Sequence, residues 1–243
     1  MVTGAVGGIG SAVVDALLAQ GAFVHCLDRK GWGGARGGLA SGGNVAYHQV
    51  DLANRADTDR LLVRLGVELG GRCDILVNGA GISRVRPFDA SDDALLDSIL
   101  AINFTAAFRV TRALLPALRA SGCGSIVNIA SELSLVGQTG YSAYSASKGA
   151  LLAWSRALAV ELAGERIRVN AVCPGPVDTA MLADEFATAP DPGRARREEI
   201  AGIPSGRLGA PAEIAAVIAF LAGDAAAYVT GAAWSVDGGK TAR

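Results

Sequence analysis

Short apolar runs and longer amphipathic runs alternate along the 243-residue chain. The short runs are rich in β-branched residues and predict strands, because such side chains suit a pleated, buried surface. The longer runs repeat apolar residues every three or four positions, the pattern of a helix with one buried face. The predicted strands are Ala22–Leu27, Val45–Val50, Asp74–Val77, Ser125–Ile129 and Ile167–Val172. The predicted helices are Gly8–Gln20, Asp57–Leu69, Asp93–Leu118, Ala143–Ala163 and Pro211–Ala222.

This alternation predicts βαβ units, and hence an α/β fold in which helices cover both faces of a doubly wound parallel sheet. The three layers are expected to form one domain over residues 1–243, because neither a linker nor a repeat divides the chain. A further apolar strand is expected near the C-terminus, in AAWSVDGG.

Two segments depart from the alternation. Lys30–Asn44 contains seven glycines and predicts a loop, because glycine costs about 1 kcal/mol per helical position relative to alanine. Met181–Pro204 contains three prolines and predicts a long irregular stretch. Such a stretch in a compact domain is often an active-site lid, and residues 180–210 are its expected extent.

Charge narrows the classes of partner. Charged residues make up 19% of the chain and the net charge is −1, so there is no basic field for nucleic acid or an acidic membrane. The arginines at 194, 196 and 197 lie beside Asp191, Glu198 and Glu199 and predict a solvated helix face. No apolar run approaches the ~20 residues of a membrane span, and no targeting segment is visible. A cytoplasmic protein with a small-molecule partner is expected.

Cysteine and histidine usage points the same way. The four cysteines are far apart in the sequence and form no CxxC pair, so they are expected to be small core residues in a reducing compartment. His25 and His48 lie in predicted strands without metal-ligand spacing, and no metal site is expected.

A glycine-rich loop, TGAVGGIG at Thr3–Gly10, precedes the first predicted helix. Gly4, Gly8 and Gly10 would let the backbone approach a pyrophosphate and direct helix N–H groups at its charge. Asp28 ends the next strand, where an acid binds the adenosine ribose and repels a 2′-phosphate. This favours NAD over NADP, although the adjacent Arg29 weakens the argument; an ordinary strand-end acid is the alternative interpretation.

Tyr144 and Lys148, in YSASK, share one face of a predicted helix because they are four residues apart. A nearby ammonium lowers the pKa of a phenol from ~10 and fits it for proton transfer to an alcohol or carbonyl oxygen. By itself, the pair favours the simpler interpretation of a surface contact that has no chemical role.

Seven segments together resemble the short-chain dehydrogenase/reductase family, in order and over nearly the whole chain. They are TGAVGGIG, NGAG at Asn78–Gly81, Asn103 in AINFTAAF, Ser131 in IVNIAS, YSASK, PGPVDT at Pro174–Thr179, and VDGG. NGAG departs from the family's NNAG because Gly79 replaces the second Asn. The resemblance implies a Rossmann-like fold and hydride transfer between a nicotinamide and a secondary alcohol or ketone.

The resemblance also implies roles for individual residues. Tyr144 would be the general acid–base, Lys148 would bind the nicotinamide ribose and lower the pKa of Tyr144, Ser131 would bind the substrate oxygen, and Asn103 would hold a relay water. Tyr141 is followed four residues later by a serine, so catalysis is assigned to Tyr144. The implied cofactor contacts are Gly4, Gly8, Ile9, Gly10, Asp28, Arg29, Asp51, Leu52, Asn78, Ala80, Gly81, Tyr144, Lys148, Pro174, Gly175, Val177 and Thr179.

The substrate is specified less closely. The expected contacts are Ser131, Glu132, Leu133, Gln138, Tyr141, Arg84 and Met181. Polar groups such as Glu132 and Gln138 favour a polyol, sugar or cyclic diol, whereas Arg84 would suit an anionic substrate if it is not simply an exposed loop residue.

Three further expectations concern the whole chain. The sequence begins MVTG, shorter than the family's first strand, which suggests a start upstream. Family members are commonly tetramers, and a homotetramer is expected. The alternatives are an NADPH-dependent 3-oxoacyl thioester reductase and, in a different class, a non-catalytic nucleotide-binding regulatory protein on the same fold.

Overall fold

A computed structural model describes residues 1–31 and 43–242. Seven parallel strands form one sheet in the order β3-β2-β1-β4-β5-β6-β7. The strands are β1 (Val2–Thr3), β2 (Val24–Asp28), β3 (Val45–Gln49), β4 (Ile75–Asn78), β5 (Ser125–Ile129), β6 (Arg168–Pro174) and β7 (Ala233–Val236). The expected α/β fold is confirmed, including the strand near the C-terminus.

The helices are α1 (Gly8–Ala19), α2 (Arg55–Glu68), α3 (Asp93–Leu100), α4 (Ala106–Ser121), α5 (Ser142–Leu162), α6 (Ala180–Ala187), α7 (Pro192–Ala201) and α8 (Pro211–Ala222). One core cluster packs α1 and α8 on one face of the sheet, through side chains such as Val14 and Ile218. The other packs α2, α4 and α5 on the opposite face, through side chains such as Leu65, Leu114 and Leu162. The result is a three-layer, Rossmann-like single domain.

The order of the strands reverses at β1, which pairs with β2 on one side and β4 on the other. In open parallel sheets, ligands bind beyond the carboxyl ends of the strands at such a reversal. Val2 is fully buried between Cys26 and Val77. Although β1 has only two residues, the Met1 ammonium donates to the Ile75 carbonyl, and the Val77 N–H donates to the Met1 carbonyl.

The prediction that Met181–Pro204 is irregular is wrong, because α6 and α7 lie in this stretch. Thr179 caps α6 by accepting from the Leu182 N–H, and Asp191 caps α7 by accepting from the Arg194 N–H. Pro192 is at the start of α7, where its missing N–H costs no helical hydrogen bond. The seven-glycine loop at Lys30–Asn44 lies largely outside the described residues.

The single helix predicted over Asp93–Leu118 is divided. A π-helical turn, Ala101–Thr105, separates α3 from α4. Together they make a 29-residue helical run, Asp93–Ser121, that by length and composition is apolar enough to cross a membrane. The expectation that no run approaches this length is therefore wrong. Val110, Leu114 and Leu118 of this run lie in the hydrophobic core, and core helices of globular domains pass the same test.

The cysteine expectation is correct for three of the four residues. Cys26, Cys73 and Cys173 are buried, whereas Cys123 is exposed. Cys123 follows Gly122, which ends α4 in the left-handed conformation, so the chain has already turned towards the surface at this position.

Candidate functional site

A cleft of about 670 Å³ lies above the carboxyl ends of the central strands. Its walls come from the loops after β1, β2, β3, β4, β5 and β6, together with the start of α1 and residues of α5, α6 and α7. Most of the residues singled out from the sequence line it. Those singled out as cofactor contacts include Gly4, Gly8, Ile9, Gly10, Asp28, Arg29, Asp51, Leu52, Ala80, Gly81, Pro174, Gly175, Val177 and Thr179. The substrate-side set is Arg84, Ser131, Glu132, Leu133, Gln138, Tyr141 and Met181, with Tyr144 and Lys148 between the two sets.

The glycine loop is packed too tightly for other side chains. A Cβ on Gly10 would lie 2.0 Å from the Gly4 carbonyl oxygen, and one on Gly8 would lie 2.6 Å from Cγ2 of Thr179. Gly4 also has φ of +68°, a conformation that favours glycine. Gly7 begins α1 without a side-chain cap. The first N–H groups of α1 therefore suit an anionic group in the cleft, which fits a dinucleotide pyrophosphate.

Asp28, at the end of β2, organises the neighbouring turn. One carboxylate oxygen accepts from the Val6 N–H over 3.0 Å, and the other accepts from the Lys30 N–H over 2.9 Å. The carboxylate is thus fixed at the mouth of the glycine loop. Arg29 and Lys30 line the same end of the cleft. One negative and two positive side chains are therefore present where an adenosine ribose would lie.

Tyr144 and Lys148 project from the first turns of α5 towards Ser131, which follows β5. Burial raises the pKa of Tyr144 to about 12, and its hydrogen bond with Ser131 acts in the opposite direction. Lys148 is 4% exposed, and burial lowers its pKa to about 8. Its ammonium donates to the Ile129 carbonyl over 2.7 Å and lies 5.9 Å from the centre of the Tyr144 ring.

The expected lowering of the Tyr144 pKa by Lys148 therefore does not prevail in this structure. Desolvation dominates, and the nearby carboxylates of Glu185 and Glu132 raise the pKa of the phenol further. Lys148 directs its ammonium at a backbone carbonyl. A further positive charge in the cleft would therefore be needed to lower the pKa of the Tyr144 phenol towards 7.

Asn103 lies in the π-helical turn and is 1% exposed. Its side-chain oxygen accepts from the Ile82 N–H, and its amide donates to the Ile82 carbonyl and the Ser147 hydroxyl. Both amide hydrogens are thus used within the protein. Asn103 fixes the loop after β4 against α5, and it lies behind the cleft wall rather than in it.

Asn78 differs from the expectation that it lines an adenosine ribose. It is 3% exposed within β4 and donates to the Thr111 hydroxyl and the Asn128 side-chain oxygen. Its side chain points into the layer between the sheet and α4, so the cleft is lined by the backbone after it. Gly79 has no room for the family's second Asn, because a Cβ there would lie 2.8 Å from the Thr3 carbonyl oxygen.

At the substrate end, Glu185 of α6 is a polar group that the sequence did not single out, and it contacts Tyr141, which is the N-cap residue of α5. The Tyr141 hydroxyl donates to the Glu185 carboxylate of α6 over 2.8 Å. Burial and the adjacent Glu185 raise the pKa of Tyr141. The Tyr141 ring packs edge-on against Tyr144, with 6.1 Å between the ring centres. Tyr141 therefore connects α6 to Tyr144.

Glu132, expected to contact substrate, also has a structural partner. Its carboxylate accepts from the Lys240 ammonium over 2.9 Å, and the same ammonium contacts Glu199 of α7. Glu132 is 4% exposed, and burial raises its pKa. Lys240 thus joins the C-terminal turn, α7 and the turn that follows Ser131. Sequence spacing gave no sign of this contact, because its three residues come from distant segments.

His25, His48 and Glu68 gather between β2, β3 and α2, with their potential ligand atoms within 4.8 Å of one another. His25 Nδ1 and His48 Nε2 are 3.1 Å apart, and the rings are 9° from parallel with 5.3 Å between centres. The nitrogens therefore face each other almost in one plane, as in an N–H···N hydrogen bond. A zinc ion needs two nitrogens that converge on it at about 2.0–2.1 Å, which this head-on arrangement does not provide.

Comparison with known proteins agrees with the geometry. A family model described as enoyl-(acyl carrier protein) reductase matches residues 4–241. The 2-(S)-hydroxypropyl-CoM dehydrogenase 3 of Xanthobacter autotrophicus is 36% identical over 99% of this chain and 95% of its own. The chain belongs to the short-chain dehydrogenase/reductase family. It is therefore an oxidoreductase of a nicotinamide-dependent family.

Other short-chain dehydrogenase/reductases are equally similar. The acetoacetyl-CoA reductase of Allochromatium vinosum is 38% identical, and the 3-oxoacyl-[acyl-carrier-protein] reductase of Thermotoga maritima is 36% identical; each match covers 98% of this chain and 96% of the relative. A crystal structure from Beutenbergia cavernae, assigned as an NAD(P)-dependent gluconate 5-dehydrogenase, contains NADP at low occupancy. It superposes with a TM-score of 0.91 at 37% identity, covering 100% of this chain and 96% of that one.

Proposed function

We propose that this protein is an NAD(H)-dependent dehydrogenase/reductase that interconverts a secondary alcohol and a ketone on a neutral, hydroxylated compound such as a polyol, sugar or cyclic diol. The observation that carries the proposal is the convergence of Ser131, Tyr144 and Lys148 on one cleft, with Asp28 at the opposite end. A bound nicotinamide would supply the hydride chemistry.

The chain's own residues would handle binding and the proton. Ser131 would hydrogen-bond the substrate oxygen together with Tyr144, and so stabilise charge that develops there. Tyr144 would take the alcohol proton during oxidation and return it during reduction. Lys148, already buried beside the phenol, would bind ribose hydroxyls and favour the phenolate.

Asn103 would support a proton relay indirectly. Because its amide hydrogens are occupied by Ile82 and Ser147, a relay water would use the backbone exposed by the π-helical turn. The side chain would then hold that turn in place.

Asp28 supports NAD rather than NADP. Its carboxylate is fixed beside the glycine loop, where it would accept from ribose hydroxyls and repel a 2′-phosphate. Arg29 and Lys30 favour the alternative, an NADPH-dependent reductase of 3-oxoacyl thioesters, since both cations line the same end.

A fluorescence titration with NADH and NADPH distinguishes these cofactors. NADH is expected to bind at least about tenfold more tightly, equivalent to ~1.4 kcal/mol. Asp28→Asn keeps an acceptor oxygen but removes the negative charge. It is expected to reduce the ratio of NADH affinity to NADPH affinity. Tighter binding of NADPH by the unaltered protein would contradict the NAD assignment and favour the thioester reductase.

The protein is proposed to be a cytoplasmic homotetramer, and two partly exposed aromatic pairs support the assembly. Phe220 of α8 packs on Trp234 of β7, and Phe108 of α4 packs on Trp154 of α5. Trp234, Phe220 and Phe108 are each more than a third exposed. Two different self-complementary faces are what a closed tetramer with two interfaces requires.

Residues 180–210, which contain α6 and α7, are proposed to act as a substrate lid. Their links to the rest of the domain are side-chain contacts that can break and re-form, namely Glu185 with Tyr141 and Glu199 with Lys240.

Light scattering tests the proposed homotetramer. A mass of four subunits would support the homotetramer, and the mass of a monomer would contradict it.

A further inference from the structure

The substrate end of the cleft is rich in carboxylates. Glu132, Asp184, Glu185 and Glu199 line it, together with Arg84 and Arg86. Lys240 accounts for two of the four acids, because it pairs with both Glu132 and Glu199. Asp184 is exposed to solvent. Glu185 is half-buried and needs a different explanation.

Hydroxyl groups are the near neighbours of Glu185. The Tyr141 hydroxyl donates to one carboxylate oxygen over 2.8 Å, and Ser83 lies nearby with a buried hydroxyl that has no hydrogen-bond partner among the described residues. Arg84 acts on it only through longer-range attraction. The Glu185 carboxylate therefore has one neutral donor, Tyr141, and is suited to accept from another hydroxyl.

Glu185 lines the same cleft as Tyr144 and Ser131. Tyr141, which donates a hydrogen bond to Glu185, packs edge-on against Tyr144, with 6.1 Å between the ring centres. Glu185 is near enough to raise the pKa of the Tyr144 phenol. A hydroxyl beside the carbon whose oxygen meets Tyr144 and Ser131 would therefore lie at the same end of the cleft as Glu185.

We propose that Glu185 is a specificity-determining residue that accepts a hydrogen bond from a second substrate hydroxyl beside the reacting carbon, and that it thereby selects neutral diols over anionic substrates. This inference rests on the proposed dehydrogenase function. A site built around a charged acceptor disfavours an analogue without the hydroxyl, because the carboxylate then keeps only the Tyr141 donor and remains partly desolvated. It also repels a substrate carboxylate placed at the same position.

The test compares three substrates with purified full-length enzyme and saturating amounts of the cofactor that binds more tightly. The substrates are cyclohexane-1,2-diol, cyclohexanol and 3-hydroxybutyrate, and kcat/KM is measured for each. The variants are Glu185→Gln, which keeps a neutral acceptor, and Glu185→Leu, which removes it. Glu198→Gln is the matched control, because Glu198 is an exposed carboxylate on α7 that pairs with Arg194.

In the unaltered enzyme, the diol is expected to exceed cyclohexanol by about 10- to 100-fold, the usual effect of a hydrogen bond to a charged group. Glu185→Leu should reduce that ratio to within about threefold of unity, and Glu185→Gln should give an intermediate ratio. The kcat/KM for 3-hydroxybutyrate should rise in both Glu185→Leu and Glu185→Gln, since the negative charge that repels its carboxylate is gone. Glu198→Gln should leave the ratios unchanged.

A purely structural role would instead lower all three values together. An equal loss on diol, cyclohexanol and 3-hydroxybutyrate, or no preference for the diol in the unaltered enzyme, would overturn the inference while leaving the dehydrogenase intact. If neither the diol nor cyclohexanol reduces the cofactor in the unaltered enzyme, the proposed function itself fails on these substrates, and the inference fails with it.

Discussion

Lys148 lines the cleft with only 4% of its surface exposed, and its ammonium donates to the backbone carbonyl of Ile129. Burial lowers its pKa to about 8, below the ~10.4 of a free lysine. The unfolded chain therefore binds more protons than the folded protein between pH 8 and 10.5. Stability from this residue rises with pH across that window and is lowest near neutrality.

Lys148→Met is accordingly expected to be inactive but more stable. The methionine side chain fits a buried position without a charge to desolvate, so the free energy of unfolding at pH 7 should rise by about 1–3 kcal/mol. Urea unfolding measures the change, and cofactor oxidation checks the activity. A loss of stability would show that the hydrogen bond to Ile129 outweighs desolvation.

Residue-scale prediction from sequence works where spacing carries the chemistry. Tyr144 and Lys148 attract notice because they are four apart on one helix, but their roles and that of Ser131 follow only from the resemblance to the family and stay predictions. Glu185 is not recognisable, since its importance depends on Tyr141 in another helix. Asn78 was misplaced because the sequence of a strand end does not show which side its last side chain faces.

At the scale of elements, Lys240 joins α7 to the turn that begins at Ser131. Its side chain is 16% exposed and that of Glu132 is 6% exposed. Breaking a buried pair by removing one partner leaves an uncompensated charge. Lys240→Met is therefore expected to lower the free energy of unfolding by about 3 kcal/mol, measured by urea denaturation.

The matched control for this pair is Arg194→Met, because both Arg194 and Glu198 are largely exposed. Exposed pairs contribute little, so the denaturation midpoint should be unchanged. Equal midpoints for Lys240→Met and the unaltered protein would show that the C-terminal turn does not hold α7 in place.

The histidine pair between β2 and β3 makes stability depend on pH. Burial lowers the pKa of both His25 and His48, so the unfolded chain takes up protons first as the pH falls below 6.5. Stability is therefore complete above pH 6.5 and decreases as the pH falls below it. His25→Val/His48→Val should flatten this decrease in pH-dependent urea midpoints, and an unchanged slope would exclude the pair as its source.

The elements predicted from periodicity have nearly the observed bounds where a single buried face determines them, as in β5 and α8. The prediction failed where local capping decides. Pro190 and Pro192 indicated a break, yet Pro192 begins a helix because Asp191 caps it. The π-helical turn within Asp93–Leu118 leaves the apolar period almost unchanged, so periodicity could not reveal it.

At the scale of the molecule, the cleft joins two chemically different ends. The cofactor end is made mostly of backbone, with a glycine loop too crowded for side chains and one fixed acid, and the family motifs describe it well. The substrate end is made of side chains from α5, α6, α7 and the C-terminal turn. These elements come together only in the folded protein, so substrate preference cannot be derived from linear spacing.

The measurement that tests the central claim most directly is turnover by Tyr144→Phe beside the unaltered enzyme, with cyclohexane-1,2-diol and the preferred cofactor. The variant keeps the buried ring and its contact with Tyr141, but it has no proton to exchange. Its kcat should fall by about 10²–10⁴-fold, while NADH affinity by fluorescence stays within about twofold. Turnover within a few-fold of the unaltered enzyme would contradict the assignment of Tyr144 as the acid–base and, with it, the mechanism proposed for this cleft.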